Sequence, residues 1–192
     1  MDKINIMITG VGGQGSLLAS RILGDVALSS GYDVKVSEVH GMAQRGGSVV
    51  TYVRCSKTGP VASPVICKGE ADYLLSFEQL EAARWLSFLK IDGKLVTSVQ
   101  KILPMPVITG AAKYPDNVLD TIKEKGISMT AVDALSLAKE AGNEKAANVV
   151  LIGVLAKQMT FEKEAFINAI EKCVPPKFKE LNLKAFELGY GA

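Results

Sequence analysis

Side chains whose types and spacing suit chemistry gather in two glycine-bearing segments. The run Glu38-Val39-His40-Gly41-Met42-Ala43-Gln44-Arg45-Gly46-Gly47-Ser48 holds the chain's single histidine together with an arginine, a glutamine and a carboxylate. Arg45 beside the backbone N–H groups of Gly46 and Gly47 is suited to a carboxylate or phosphate, since a guanidinium presents a planar fork of donors. An unperturbed imidazole has its pKa near neutrality, so a histidine at this position, His40, is a candidate general acid or base. Glu38, two positions earlier on an extended strand, shares its face. A structural hydrogen bond is the other role open to this histidine. The second segment is Gly10-Val11-Gly12-Gly13-Gln14-Gly15-Ser16. Its Gly10-x-Gly12-x-x-Gly15 spacing fits the dinucleotide fingerprint, in which glycines let backbone N–H groups approach a pyrophosphate at a helix N-terminus. Glu38 stands where a ribose-binding acid would be expected. Three readings stay open at this point: a dinucleotide, another anionic ligand, or close helix–strand packing. Ser16 and Ser48 have no evident base and no nucleophile-elbow context, so no residue is assigned to bond-making.

The elements that must position these segments follow from periodicity. Residues 4–9 form an apolar run ending at Gly10, a buried first strand. Apolar residues at three- and four-residue spacing from Gln14 to Ser29 predict a helix that stops before Gly31. Val34, Val36 and Val39 make a second strand and Val49-Val50-Thr51-Tyr52-Val53 a third. The gap of about seven residues between them is too short for a parallel crossover, which predicts an antiparallel return and a mixed sheet. Further strands are expected at 72–77, 94–98 and 106–108, and helices at 79–88, 116–125, 134–140, 161–173 and 177–188. The apolar stretch 148–159 reads as a central buried helix and 127–132 as a short apolar piece. The expectation is an α/β fold: one domain over residues 1–192, with a mixed, mainly parallel sheet flanked by helices and a Rossmann-like opening.

Composition narrows the partners. The 22 basic and 20 acidic residues leave no charge excess that would favour nucleic acid or an anionic membrane surface. No apolar run approaches the roughly 20 residues of a membrane span, and the N-terminus lacks secretory features, so a cytoplasmic protein is expected. Cys55, Cys67 and Cys173 are widely spaced and include no C-x-x-C pair. Zinc sites and iron–sulfur clusters take clustered soft ligands, so the chain alone is expected to bind no metal.

Taken together, Gly10 to Gly15 and Glu38 to Val50 resemble the gamma-type domain of the 2-oxoacid:ferredoxin oxidoreductases, and are most similar to its indolepyruvate-type members. Ser63-Pro64, Lys68-Gly69-Glu70-Ala71-Asp72 and Phe77-Glu78 carry the resemblance across nearly the whole chain. It implies the small subunit of a complex that oxidatively decarboxylates a 2-oxoacid to an acyl-CoA and reduces ferredoxin. Thiamine diphosphate and 4Fe–4S clusters would lie on a larger partner subunit, with coenzyme A as co-substrate. His40-Gly41-Met42-Ala43-Gln44 replaces the Tyr-Gly-Pro type sequence of pyruvate and 2-oxoglutarate members, which favours an aryl-pyruvate substrate. Residues Gly10, Gly12, Gly13, Gln14, Gly15, Ser16, Glu38, His40, Gln44, Arg45, Gly46, Gly47 and Ser48 are expected to bind coenzyme A phosphates or the substrate carboxylate, or to face the partner. A stand-alone dinucleotide-binding oxidoreductase is the alternative.

Overall fold

The computed structural model describes residues 2–40 and 47–192, with His40 described by its backbone only. Its centre is a six-stranded sheet in the order β2-β3-β1-β4-β5-β6. The strands are β1 (Lys3–Val11), β2 (Asp33–His40), β3 (Ser48–Ser56), β4 (Ala71–Ser76), β5 (Leu89–Ser98) and β6 (Ser128–Val132). β1 pairs antiparallel with β3 and parallel with β4, and β5 and β6 continue the parallel half. β2 pairs antiparallel with β3, as the short gap between them requires.

β1 occupies the middle because it is apolar on both faces. Ile4, Ile6 and Ile8 enter the core on one side, Met7 on the other. On the first face lie α1 (Ser16–Ser29), α5 (Ala134–Ala141), α6 (Ala147–Ala156), α7 (Lys163–Cys173) and α8 (Lys179–Gly191). On the second lie α2 (Gln79–Trp85) and α4 (Val118–Glu124). The chain leaves β1 through α1 toward β2, and leaves β4 through α2 toward β5, in opposite directions along the sheet. The β1/β4 junction is therefore a topological switch point, and its carboxyl edge is where open α/β sheets bind ligands.

α6 is buried from Asn148 through Ala156, as its unbroken apolar run predicts. It packs against α8 through two glycines, so closely that a Cβ at Gly153 would lie 2.3 Å from Phe186 O and one at Gly189 1.9 Å from Val150 O. Two expectations are corrected. Residues 106–108 do not form a strand: they belong to a single helical turn, α3 (Met105–Ile108), entered from Pro104. Proline lacks the N–H a ladder needs but suits a first helical turn. The helix expected at 79–88 ends as α-helix at Trp85 and continues as a tighter 3₁₀ turn over Leu86–Phe88.

Candidate functional site

The glycine turn closes β1 and opens α1, as the sequence predicts. Gly10 is required by close approach: a Cβ there would sit 2.8 Å from Gln14 Oε1 and 3.2 Å from Phe77 Cβ. The space it leaves admits the Gln14 side chain, whose Oε1 accepts from Val11 N at 2.7 Å. Gln14 Nε2 donates to Phe77 O at 3.1 Å and to Gln100 Oε1 at 3.3 Å. One amide thus ties together the chain leaving β1, β4 and β5. Gly15, at the start of α1, holds φ at 87°, a left-handed value that favours glycine. Its carbonyl accepts from Asn148 Nδ2 at 3.2 Å, and a Cβ would meet that nitrogen at 2.4 Å.

Glu38 faces the N-terminus of α1. Its Oε2 accepts from Ser16 Oγ at 2.8 Å and from Thr51 Oγ1 at 2.9 Å. A carboxylate there complements the helix dipole and joins β2, β3 and α1. That oxygen serves hydroxyls of its own chain, whereas the dinucleotide reading would turn it to a ribose. The two glycine segments meet directly, Gly12 N donating to Gly47 O at 2.9 Å. Ser48 then donates to Glu81 on α2. His40 ends β2, its backbone paired with Val49. Gln44, Arg45 and Gly46 lie outside the described residues.

Between the glycine turn and the start of α6 is a cavity of about 400 Å³. Gln14, Gln100 and Asn148 give it amides, Lys145 and Glu144 stand at its rim, and Phe77 and Leu151 supply apolar wall. It lies at the carboxyl ends of β1, β4 and β5, the switch point derived above. Such a space offers backbone and amide hydrogen bonds, with one ammonium and one carboxylate at its rim, which suits a polar ligand. A second cavity of about 290 Å³ lies across the sheet, lined by Val11, Gly47, Ser48, Glu81, Arg84 and Met105 among others.

Asn148, Gln100, Lys145 and Glu81 were not among the residues singled out from sequence. Asn148 carried a signal, as a polar residue opening an otherwise apolar helical run; the others resemble ordinary surface positions. Cys55 lies buried on β3, Cys67 is exposed in the loop before β4, and Cys173 ends α7; all three are free thiols. Burial pushes the Cys55 thiol up to about 12, away from the thiolate a metal needs. Three thiols on separate elements do not fit a 4Fe–4S cluster, which takes four. Among the described residues no group of three or more His, Cys, Asp or Glu side chains could hold a metal ion. Among them, too, no helix is long and apolar enough to cross a membrane.

A glycine turn at the switch point, joined to an antiparallel return instead of a crossover helix, defines a particular class of α/β domain. The chain belongs to the pyruvate ferredoxin/flavodoxin oxidoreductase family, whose sequence profile matches residues 5–192. It is 45% identical over its full length to the indolepyruvate oxidoreductase subunit IorB of Thermococcus kodakarensis, covering 96% of that protein. It is 38% identical over 98% of its length to the IorB subunit of Archaeoglobus fulgidus, covering 94% of it. Among solved structures, it is similar to the keto/oxoacid ferredoxin oxidoreductase gamma subunit of Geobacter sulfurreducens. That likeness has a TM-score of 0.72 and 28% identity, and covers 98% of this chain and 96% of the other. These relatives are subunits of 2-oxoacid oxidoreductases, matched nearly end to end. The resemblance read from the two glycine segments is borne out, and a stand-alone dinucleotide-binding oxidoreductase is not favoured.

Proposed function

We propose that this chain is the small subunit of a cytoplasmic 2-oxoacid:ferredoxin oxidoreductase acting on indolepyruvate or another aryl-pyruvate, with residues 1–192 forming one gamma-type domain. The observation that carries this reading is the 45% identity, over the whole chain, to a subunit named for indolepyruvate. In it, a larger partner subunit holds thiamine diphosphate and 4Fe–4S clusters, which supply decarboxylation and electron transfer to ferredoxin. The small subunit's task is binding. The cavity beside Gly13, Gly15, Gln14 and Asn148 takes coenzyme A phosphates or the substrate carboxylate, and the guanidinium of Arg45, next to Gly46 and Gly47 in the sequence, is assigned to the same ligand. What supports assigning both segments to one ligand is the hydrogen bond of Gly12 to Gly47, which joins the end of the second segment to the first.

Arg45→Ala and Arg45→Lys in the reconstituted complex test the site, with coenzyme A and oxoacid varied separately. Losing a hydrogen bond to a charged group costs about 1.5–3 kcal/mol, and lysine lacks the planar fork that would restore it. A raised KM for one substrate in both variants, with assembly and melting temperature intact, identifies the ligand. Unchanged kinetics for both substrates leave Arg45 without a binding role, and a loss confined to assembly assigns it to the subunit interface.

A further inference from the structure

The point at which the second glycine segment rejoins the sheet is held from a direction unrelated to the glycine turn. Ser48 opens β3 opposite Val11 of β1, and its hydroxyl donates to Glu81 on the first turn of α2. Glu81 is only 4% exposed. Its oxygens are divided: Oε2 takes Ser48 and the indole Nε1 of Trp85 at 3.2 Å, and Oε1 takes Arg84 Nε at 3.0 Å. The Trp85 nitrogen also lies 3.3 Å from Ser48 Oγ, closing a triangle. Glu81 is itself fixed, because its backbone N–H is capped by the buried Glu78 carboxylate at 2.8 Å and its neighbour Ala82 is in the core.

A carboxylate this buried is costly unless donors surround it. An apolar side chain would pack the same gap against Trp85 without that cost, but could not hold a serine hydroxyl. What the acid provides is a fixed position for Ser48, and through it for Gly47, whose carbonyl meets Gly12 N at 2.9 Å. We propose that Glu81 is a positioning residue: through Ser48 it holds the Gly47 carbonyl against Gly12 N, and so fixes the backbone of the glycine turn whose next residues, Gly13 to Gly15, line the ligand cavity. This rests on the binding role proposed above for those segments.

The test uses Glu81→Ala, Ser48→Ala and the shape-conserving Glu81→Gln. In Glu81→Gln the amide oxygen can still face Ser48 and Trp85 while the amide nitrogen turns toward Arg84, half exposed and free to swing into water. Hydrogen exchange on the full chain reads the Gly12–Gly47 contact directly. The Gly12 amide should exchange at least about tenfold faster in Glu81→Ala and Ser48→Ala, with Ile6 to Ile8 unchanged and Glu81→Gln close to wild type. In the complex with the larger subunit, the same two variants should raise KM for coenzyme A or the oxoacid about tenfold, the loss of one hydrogen bond to a charged group. Their kcat should stay within about twofold, and Glu81→Gln should behave as wild type. Ser48→Ala removes a single hydroxyl and keeps the test valid if Glu81→Ala does not fold. Unchanged Gly12 exchange and unchanged KM in Ser48→Ala would overturn the proposal, as would kcat and melting temperature falling together in place of a KM effect. Failure of the subunit reading appears in the wild-type complex, as absent activity; failure of this one appears only in the variants.

Discussion

Replacing Gly153 by alanine pits two effects of known sign against each other. In isolation the substitution should stabilise α6 by about 1 kcal/mol, the helix-propensity difference between glycine and alanine. In place, the added Cβ would lie 2.3 Å from Phe186 O, 2.8 Å from Tyr190 N and 3.1 Å from Gly189 C, all backbone atoms of α8. Backbone cannot rotate aside as a side-chain tip can. α6 is buried on all sides, so α8 must move outward by about an ångström to restore an ordinary contact. A gap of that size forfeits a quarter to a half of the dispersion energy across the seam, where Val149, Val150, Phe186 and Ala185 are fully buried. Overpacking of this kind costs typically 1–3 kcal/mol and occasionally more. With several backbone clashes, the net expectation is a loss of about 2 kcal/mol or more, which for a chain of this length lowers Tm by roughly 4–8 °C. Gly24→Ala in α1 is the matched control. Its Cβ would meet nothing closer than Val36 Cγ2 at 3.7 Å, so propensity should prevail and the variant should gain about 0.5–1 kcal/mol. Urea unfolding followed by circular dichroism measures both. A Gly153→Ala protein as stable as wild type, or a Gly24→Ala protein destabilised by a comparable amount, would refute the steric reasoning.

Gln14→Ala removes the acceptor of Val11 N and the donor to Phe77 O, so urea titration should show a loss of about 1–3 kcal/mol; an unchanged midpoint would mean that water replaces the amide freely. Stability should fall as pH rises above about 8.5, where an unfolded thiol begins to ionise, and should go on falling to about 12, where the buried Cys55 thiol does so. The sign follows because the native state binds more protons than the unfolded chain in that window. Burial and its hydrogen bond to Glu78 raise the Tyr114 phenol in the same direction. Urea midpoints at about pH 8 and about pH 10.5 check this, and Cys55→Ala should narrow the difference between them; a midpoint that rises with pH would contradict it. The isolated chain should not bind NADH in calorimetric titration, because the antiparallel return interrupts the dinucleotide half-fold; micromolar affinity weakened by Glu38→Ala would revive the alternative.

Much of this architecture was legible because the signals were local. Ile4 to Thr9, the turn and the α1 periodicity sit next to one another in the chain, and the short gap after Val39 excluded a crossover before any contact was known. Residues 106–108 misled because Val107 and Ile108, led by Pro106, satisfy a short strand and a helical turn equally, and only the absence of a neighbouring strand decides. β6 read only as an apolar piece because an edge strand is half exposed and lacks a continuous buried pattern. In the candidate site, Gly10, Gln14, Gly15 and Glu38 announced themselves by spacing. Asn148 did not announce its target, since its partner Gly15 lies 133 residues away. Glu81 looked like one more charge on a short helix, and its meaning comes from Ser48, 33 positions earlier. Contacts of that separation are made by the sheet order, which no local pattern encodes.

Whether this chain completes an aryl-pyruvate oxidoreductase is read from coenzyme A-dependent ferredoxin reduction, measured with the larger subunit alone and with both chains, across a panel of 2-oxoacids. Turnover should appear only when both chains are present, with kcat/KM for indolepyruvate at least about tenfold above that for pyruvate, a discrimination within reach of an apolar pocket. Equal turnover by the larger subunit alone, or a preference for pyruvate, would contradict it.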